Sequence, residues 1–193
     1  MNRQDALEFT SGKRPLCHLP LGTLGIPLTQ GQTALIYEFD YERIVAYDWY
    51  ANWYDNAQTF YAQRWTKIAG KEAIELMHRL IMGAVPGQEV DHIDHNGLDN
   101  RRDKLRLATV RQNRQNREKR SKCSSRFKGV IRRSGVLPWE AAIRAGEILP
   151  CGKSRQLYLG RFATEEEAAR AYDRMARKHF GEFARPNFPD ESP

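Results

Sequence analysis

The residues with the most chemistry to offer in this 193-residue chain lie between positions 90 and 116. Val90-Asp91-His92-Ile93-Asp94-His95-Asn96-Gly97 reads as the end of a strand entering a polar loop, and Leu105-Arg106-Leu107-Ala108 as a return strand. Thr109 is suited to cap a helix that carries Arg111, Asn113, Arg114 and Arg117. Such a doubling back brings an acid, an imidazole and an amide toward one place. A hard cation such as Mg²⁺ prefers oxygen ligands, and the Asp91 carboxylate with the Asn113 carbonyl would supply two while leaving room for phosphate oxygens and water. His92 follows Asp91 directly, so on a strand it points to the opposite side, where it can take a proton from an attacking water. Together these residue types outline metal-assisted phosphodiester hydrolysis.

Other candidates have plainer readings beside the chemical ones. His78 could touch a metal, but a structural contact with the loop is the expectation. His95 could serve as a substitute base or bind a phosphate from a flexible loop. His179 is expected to pack on a helix. Arg101 and Arg102 could clamp a phosphate or stay solvated, and the sequence leaves both open. Cys17, Cys123 and Cys151 are odd in number and widely spaced, which argues against a disulfide framework and against a zinc pair.

The elements that must position this chemistry are set by composition and pattern. Hydrophobic residues make up 40% of the chain and charged residues 28%, and no run approaches the roughly 20 apolar residues of a membrane helix. The start of the chain lacks the apolar stretch of a secretory signal, so a cytoplasmic protein is expected. The formal charge is +7, and it is unevenly placed: residues 1–70 carry −1, 71–100 carry −4, 101–133 carry +12 and 134–193 carry none. A run of that density repels itself unless a polyanion lies beside it, which points to nucleic acid; few large apolar side chains are present for a membrane-surface helix.

Residues 1–22 show no clear period and read as a loose arm. The segments 26–28 and 33–37 flank Thr29-Gln30-Gly31-Gln32, a hairpin signal, and Asp40 is placed to cap a short helix reaching Tyr47. The stretch 37–65 holds 11 of the 20 aromatics, expected as the core of a small β-rich subdomain over 23–70, with base stacking as the other use. The run 73–82 fits strand or helix and ends at Gly83. Farther along, 127–133, 139–144 and 156–162 are β-prone, and Thr164 with Glu167 forms a capping box for a helix in which Ala168, Tyr172, Met175, Ala176 and His179 recur at helical spacing. The layering expected is α+β, a three-stranded antiparallel sheet packed on one helix.

The run D-H-I-D-H-N-G-L-D-N-R-R-D-K-L-R-L-A-T-V-R-Q-N over 91–113 closely resembles the HNH nucleases of the phage homing-endonuclease branch, and M-H-R-L-I-M-G over 77–83 is similar to their lead-in. The resemblance implies a ββα-metal finger over 71–119, one divalent ion, Mg²⁺ or Mn²⁺, and nicking or cutting of DNA. It carries the metal-binding acid to Asp91, the general base to His92 and the metal-binding amide to Asn113, with Arg111, Arg114 and Arg117 as phosphate contacts on or near the finger's helix. One position departs from it: Lys104 stands where the family usually has an Asn that pins the histidine loop. Lysine cannot accept hydrogen bonds, so Asn100 or Asn96 must replace that strut or the site is weakened.

F-K-G-V, W-E-A-A-I-R, Y-L-G-R-F, E-E-E-A-A-R-A-Y-D and F-A-R-P-N-F-P, spanning 127–189, resemble the ethylene-response-factor (Apetala-type) DNA-binding domain, in which a three-stranded sheet enters the major groove. The matching DNA contacts are Lys128, Arg133, Arg144, Gln156 and Tyr158, and alternation puts Glu140, Ala142 and Arg144 on one face of the middle strand, Trp139, Ala141 and Ile143 on the other. Ile131, Gln156 and Tyr158 stand where that family tends to have Arg, Arg and Trp, so base readout is altered and phosphate contact gains weight. A basic tether over 120–126 would join the two modules. The combined expectation is a monomeric homing-type endonuclease of phage or bacterial type that nicks double-stranded DNA in the host cytoplasm or nucleoid. The alternative is a DNA-binding regulator with a catalytically weakened finger. A ribonuclease or RNA-binding protein has only the N-terminal aromatics in its favour.

Overall fold

A computed structural model describes residues 17–19, 22–116, 124–148, 151 and 154–191, with the backbone alone for 17–19, 146–148 and 154. The fold is α+β, with several small antiparallel sheets and short helices arranged in two compact units, Met1–Val110 and Arg111–Pro193.

In the first unit, β1 (Cys17–Leu19), β2 (Thr23–Pro27) and β3 (Thr33–Tyr37) form an antiparallel sheet. The hairpin read from the turn signal is present, closed by a 3₁₀ turn over Thr29–Gly31 in which Gln30 has φ 59°. The end of the arm expected to be loose is strand β1, paired Cys17 to Gly25 and Leu19 to Thr23; residues 1–16 and 20–21 lie outside the described residues. Helix α1 is short, Tyr41–Val45, and Asp40 precedes it without capping it, because its carboxylate is used elsewhere.

A second antiparallel sheet contains β4 (Tyr50–Tyr54), β5 (Thr59–Ile68) and β6 (Lys71–Leu76). The ambiguous run 73–82 is both strand and helix: β6 ends at Leu76 and α2 spans Met77–Met82, stopped by Gly83 in the left-handed region at φ 62°. The aromatics of 37–65 are not mainly core. Trp49 is buried, but Phe39, Tyr47, Trp53 and Trp65 are exposed, Trp65 by 65%. Aliphatic side chains take the interior instead: Ile36, Ile44, Met77 and Ile81 pack with Val90, Leu98 and Leu105 in one cluster. Residues of the 23–70 region and of the 90–108 stretch therefore share a single hydrophobic core. That core seats β7 (Glu89–His92) against β8 (Leu105–Ala108), an antiparallel pair in which Asp91 faces Arg106 and His92 faces Leu105. Helix α3, Val110–Gln115, comes next in the chain, and from Arg111 on its residues belong to the second unit.

The second unit contains β9 (Val130–Arg132), β10 (Trp139–Ile148) and β11 (Ser154–Phe162), antiparallel in the order β11-β10-β9, and helix α4 (Glu165–Phe180). The Thr164/Glu167 capping box is formed in both directions and Gly181 follows the last turn. Ala141 and Ile143 of β10 pack with Ala168, Ala169, Tyr172 and Ala176 of α4 in two small clusters. His179 is exposed rather than packed, while its neighbour Phe180 lies against the Ile143 and Tyr172 cluster. Gly129, at φ +76°, lies under the Tyr172 ring, where a Cβ would collide. Asp173 is buried and accepts hydrogen bonds from the Asn187 backbone and side chain and from the Phe188 N–H, which ties the C-terminal segment to the helix. Ser124 and Arg126 are held as well: Ser124 Oγ accepts from Arg132 N–H, and Arg126 pairs with Glu166 at 2.8 Å. The last residues assigned to a tether are thus docked on this unit; 117–123 lie outside the described residues.

Candidate active site

The β7–β8 hairpin and the loop between its strands build the site. Alternation along β7 sends Asp91 and His92 to opposite sides, yet both are buried, at 6% and 5% exposure. His92 packs among rings: the His78 ring lies 4.8 Å away edge-on and the Tyr61 ring 5.5 Å away. Tyr61 comes from β5 and His78 from α2, so two elements outside the hairpin set the orientation of the imidazole. His78 is itself buried and lies against both the Tyr61 and the His92 rings. Burial pulls the His92 pKa down to about 4 against the opposing influence of Asn100, Asp91 and Asp99, and burial together with the neighbouring His92 lowers His78 well below the ordinary histidine value. Neutral imidazole is the form a general base requires at neutral pH.

The loop over 93–104 is held along its length by the N-terminal region. Its backbone pairs with the edge of β3: Leu35 N–H donates to Leu98 O and Asn100 N–H to Leu35 O, both at 2.8 Å. Gly97 is pressed against β5, with its N–H on Thr59 Oγ1 at 3.1 Å, and any Cβ there would lie 2.7 Å from the Tyr61 ring. Tyr37 donates to Asp103 at 2.8 Å, and Asp40 accepts a forked pair from Arg102, the shortest contact 2.6 Å. Sequence reasoning missed these supports, because none is near the motif in sequence. The loop residues were visible, but Thr59 lies 38 residues from Gly97 and Tyr37 lies 66 from Asp103.

Of the two candidate struts, Asn100 is the internal one. It is fully buried, its Nδ2 donates to Leu98 O at 3.1 Å, and its side chain favours the charged form of His92. Asn96 is exposed and accepts from Leu98 N–H, a local loop contact. Lys104 turns to Asp94 at 2.7 Å, bracing the same loop by charge.

The first four cations of the basic run are ion-paired within the fold. Arg101 pairs with Asp99, Arg102 with Asp40, Lys104 with Asp94 and Arg106 with Asp91. Three of those four acids belong to the acidic 71–100 stretch, so the arginines and lysine that follow it supply its countercharge. Arg101 and Arg102 are thus each held by an acid within the fold, Arg102 with its side chain still 42% exposed. Arg111 and Arg114 are exposed on α3, whereas Arg117 lies outside the described residues. Asn113 sits on α3, in the second unit. His95 adopts φ 60° and its N–H donates to His92 O at 3.2 Å, closing the turn after β7.

For a divalent cation, the donor chemistry at Asp91 fits: a carboxylate on a rigid strand is a hard oxygen ligand. Among the described residues no group of three or more His, Cys, Asp or Glu side chains is placed to hold a metal, so substrate oxygens and water would complete the coordination. Arg106 already engages the same carboxylate, with Nε and Nη2 at 2.9 and 2.7 Å from Oδ2.

Residues 75–115 match the HNH endonuclease family model. The chain is also 40% identical over 109 residues to an uncharacterized HNH endonuclease of Acanthamoeba polyphaga mimivirus, covering 56% of this chain and 52% of that protein. Both matches support a nuclease. The C-terminal part is similar to plant proteins: 44% identity over 69 residues to a dehydration-responsive element-binding protein of Arabidopsis thaliana, and 35% over 100 residues to an ethylene-responsive transcription factor of the same plant. These cover 34% and 51% of this chain, and 28% and 58% of the two plant proteins. The chain thus spans about half the length of the HNH relative.

The sheet of the second unit presents the residues matched to DNA contact unevenly. Arg144 and Gln156 face each other across β10 and β11, Tyr158 faces Ala142, and all three contact candidates are exposed, Tyr158 by 64%. Arg133 is exposed but shares Glu140 with Arg161. Lys128 turns inward: its Nζ donates to Gln115 O at 2.5 Å, and burial lowers its pKa to about 8. Among the described residues no helix is long and apolar enough to cross a membrane.

Proposed function

We propose that this protein is a divalent-metal-dependent DNA endonuclease of the HNH homing type that nicks duplex DNA. The observation that carries the reading is His92, a neutral imidazole fixed between two rings beside Asp91 in a hairpin that matches the HNH endonucleases. β7, β8 and α3 are assigned as the ββα-metal finger. Asp91, and on the motif Asn113, would hold Mg²⁺ or Mn²⁺; bound there, the cation stabilises negative charge on the phosphate and the departing 3′ oxygen. His92 accepts a proton from the attacking water, and Asn100 supports the imidazolium that results. The exposed Arg144, Gln156 and Tyr158 of the second unit, with Arg111 and Arg114 of α3, hold the duplex. A single site of this kind in a monomer cuts one strand.

The test is incubation of supercoiled plasmid with the protein and Mg²⁺. Open circles should appear, disappear with EDTA, and be lost in His92→Ala. Equal nicking by that variant would sink the assignment. A DNA-binding regulator with a weakened finger is the second reading, favoured by Lys104 and by the hold of Arg106 on Asp91. It requires DNA binding that persists in EDTA and no nicking with any divalent metal.

A further inference from the structure

We propose that Arg106 regulates cation loading at Asp91: its guanidinium competes with a divalent ion for the carboxylate, and a DNA phosphate releases it. The inference rests on the assignment of Asp91 as the cation ligand. Asp91 and Arg106 are direct cross-strand partners on β7 and β8, and two guanidinium nitrogens converge on one oxygen, Oδ2. The pair is largely enclosed, with side-chain exposures of 12% for Arg106 and 7% for Asp91. A guanidinium does not lose its proton under ordinary conditions, so a divalent ion drawn to this carboxylate meets a fixed positive charge in contact with it.

The two cations compete for one carboxylate, and a guanidinium that yields to the divalent ion needs another anion. The nearby basic residues are matched to other acids, Arg101 to Asp99, Arg102 to Asp40 and Lys104 to Asp94, so the competition belongs to Arg106. A phosphodiester is suited to take the planar fork in place of the carboxylate. Cation and duplex then strengthen each other's binding by the same factor, since linkage is reciprocal. Loading of the metal would follow engagement of DNA, which restrains hydrolysis by protein that has not docked.

The full-length protein is titrated with Mn²⁺ and free ion is followed by electron paramagnetic resonance. Arg106→Gln should bind Mn²⁺ about tenfold more tightly than the unaltered protein, within the usual range of coupling between sites, and Asp91→Asn should lose that binding. Unchanged or weaker affinity in Arg106→Gln, with binding lost in Asp91→Asn, overturns the competition and leaves the Asp91 assignment standing. Retained binding in Asp91→Asn overturns the assignment and the inference with it. A second measurement does not depend on a variant folding. In the unaltered protein, saturating Mg²⁺, and separately a short duplex in EDTA, should each shift the ¹⁵N-detected Arg106 Nε–H resonance; a resonance unmoved by either addition overturns the proposal.

Discussion

The hairpin of β7 and β8 and the sheet of β9 to β11 use their polar residues in opposite ways. In the hairpin unit, Asp91, His92, Asp99, Asn100 and Asp40 are all buried, each engaged by a partner from another element or from the loop. On the sheet, Arg144 of β10 and Gln156 and Tyr158 of β11 stand on the surface, with both strands backed by α4. A catalytic group must be held in one orientation and one protonation state, which takes enclosure. A surface that reads DNA must stay accessible and needs only a rigid backing.

Removing the enclosed base should have the largest effect. His92→Ala is expected to slow nicking about a thousandfold, within the range for loss of a general base, while affinity for DNA in EDTA is unchanged by gel shift. A parallel loss of affinity would mean that the two regions do not divide the work in this way.

Acid should come next, and it should act on the hairpin unit. His92 has its pKa lowered from 6.5 to about 4 in the folded protein, so between those values the unfolded chain binds more protons than the native one. Stability therefore rises with pH through that window and is lost as pH falls, by on the order of 3 kcal/mol from His92; burial of His78 acts in the same direction. Chemical denaturation at pH 7 and pH 4.5 checks the sign, and His92→Gln should flatten the dependence.

The remaining effects are smaller. Gly97→Ala forces a methyl against the Phe60 carbonyl and the Tyr61 ring, and should cost about 2 kcal/mol of stability. Activity should fall with it, since Tyr61 also contacts His92; a silent substitution would mean that the N-terminal region does not hold the loop. Arg144→Ala should weaken DNA binding roughly tenfold, the scale of one good charged contact, with the nicking rate at saturating DNA preserved. Lys128→Met should change affinity less than Arg144→Ala does, because the amine is spent on the Gln115 carbonyl. A larger loss for Lys128 than for Arg144 would reverse the assignment of the exposed face.

The second unit was the more legible in sequence. Its capping box, the helical spacing of Ala168, Tyr172 and Ala176, and the alternation along β10 are local patterns, and each one places its own neighbours. The hairpin β7–β8 was legible for the same reason, since a strand, a polar loop and a return strand follow one another in the chain. The use of residues 23–70 was not. Aromatic content suggested a core of rings, but the rings are divided between interior and surface, and the aliphatic residues make the contact that matters.

Charge shows the same boundary. The sequence by itself determined the residue types at the site, their order, the strand–loop–strand that carries them, and which residues of β10 share a face, because strand alternation follows from consecutive residues; the register that sets Asp91 opposite Arg106 across a twelve-residue loop came from the fold. It also determined that a +12 segment follows a −4 segment. Only the tertiary structure decided what those charges do. Folding sets Arg101, Arg102, Lys104 and Arg106 against Asp99, Asp40, Asp94 and Asp91, so the first four cations of a run that looked free to bind phosphate are already matched inside the protein. An ion pair depends on distance in space, and separation along the chain does not fix that distance: Asp99 is two residues from Arg101, Asp40 sixty-two from Arg102, and the two contacts are equally short at 2.6 Å.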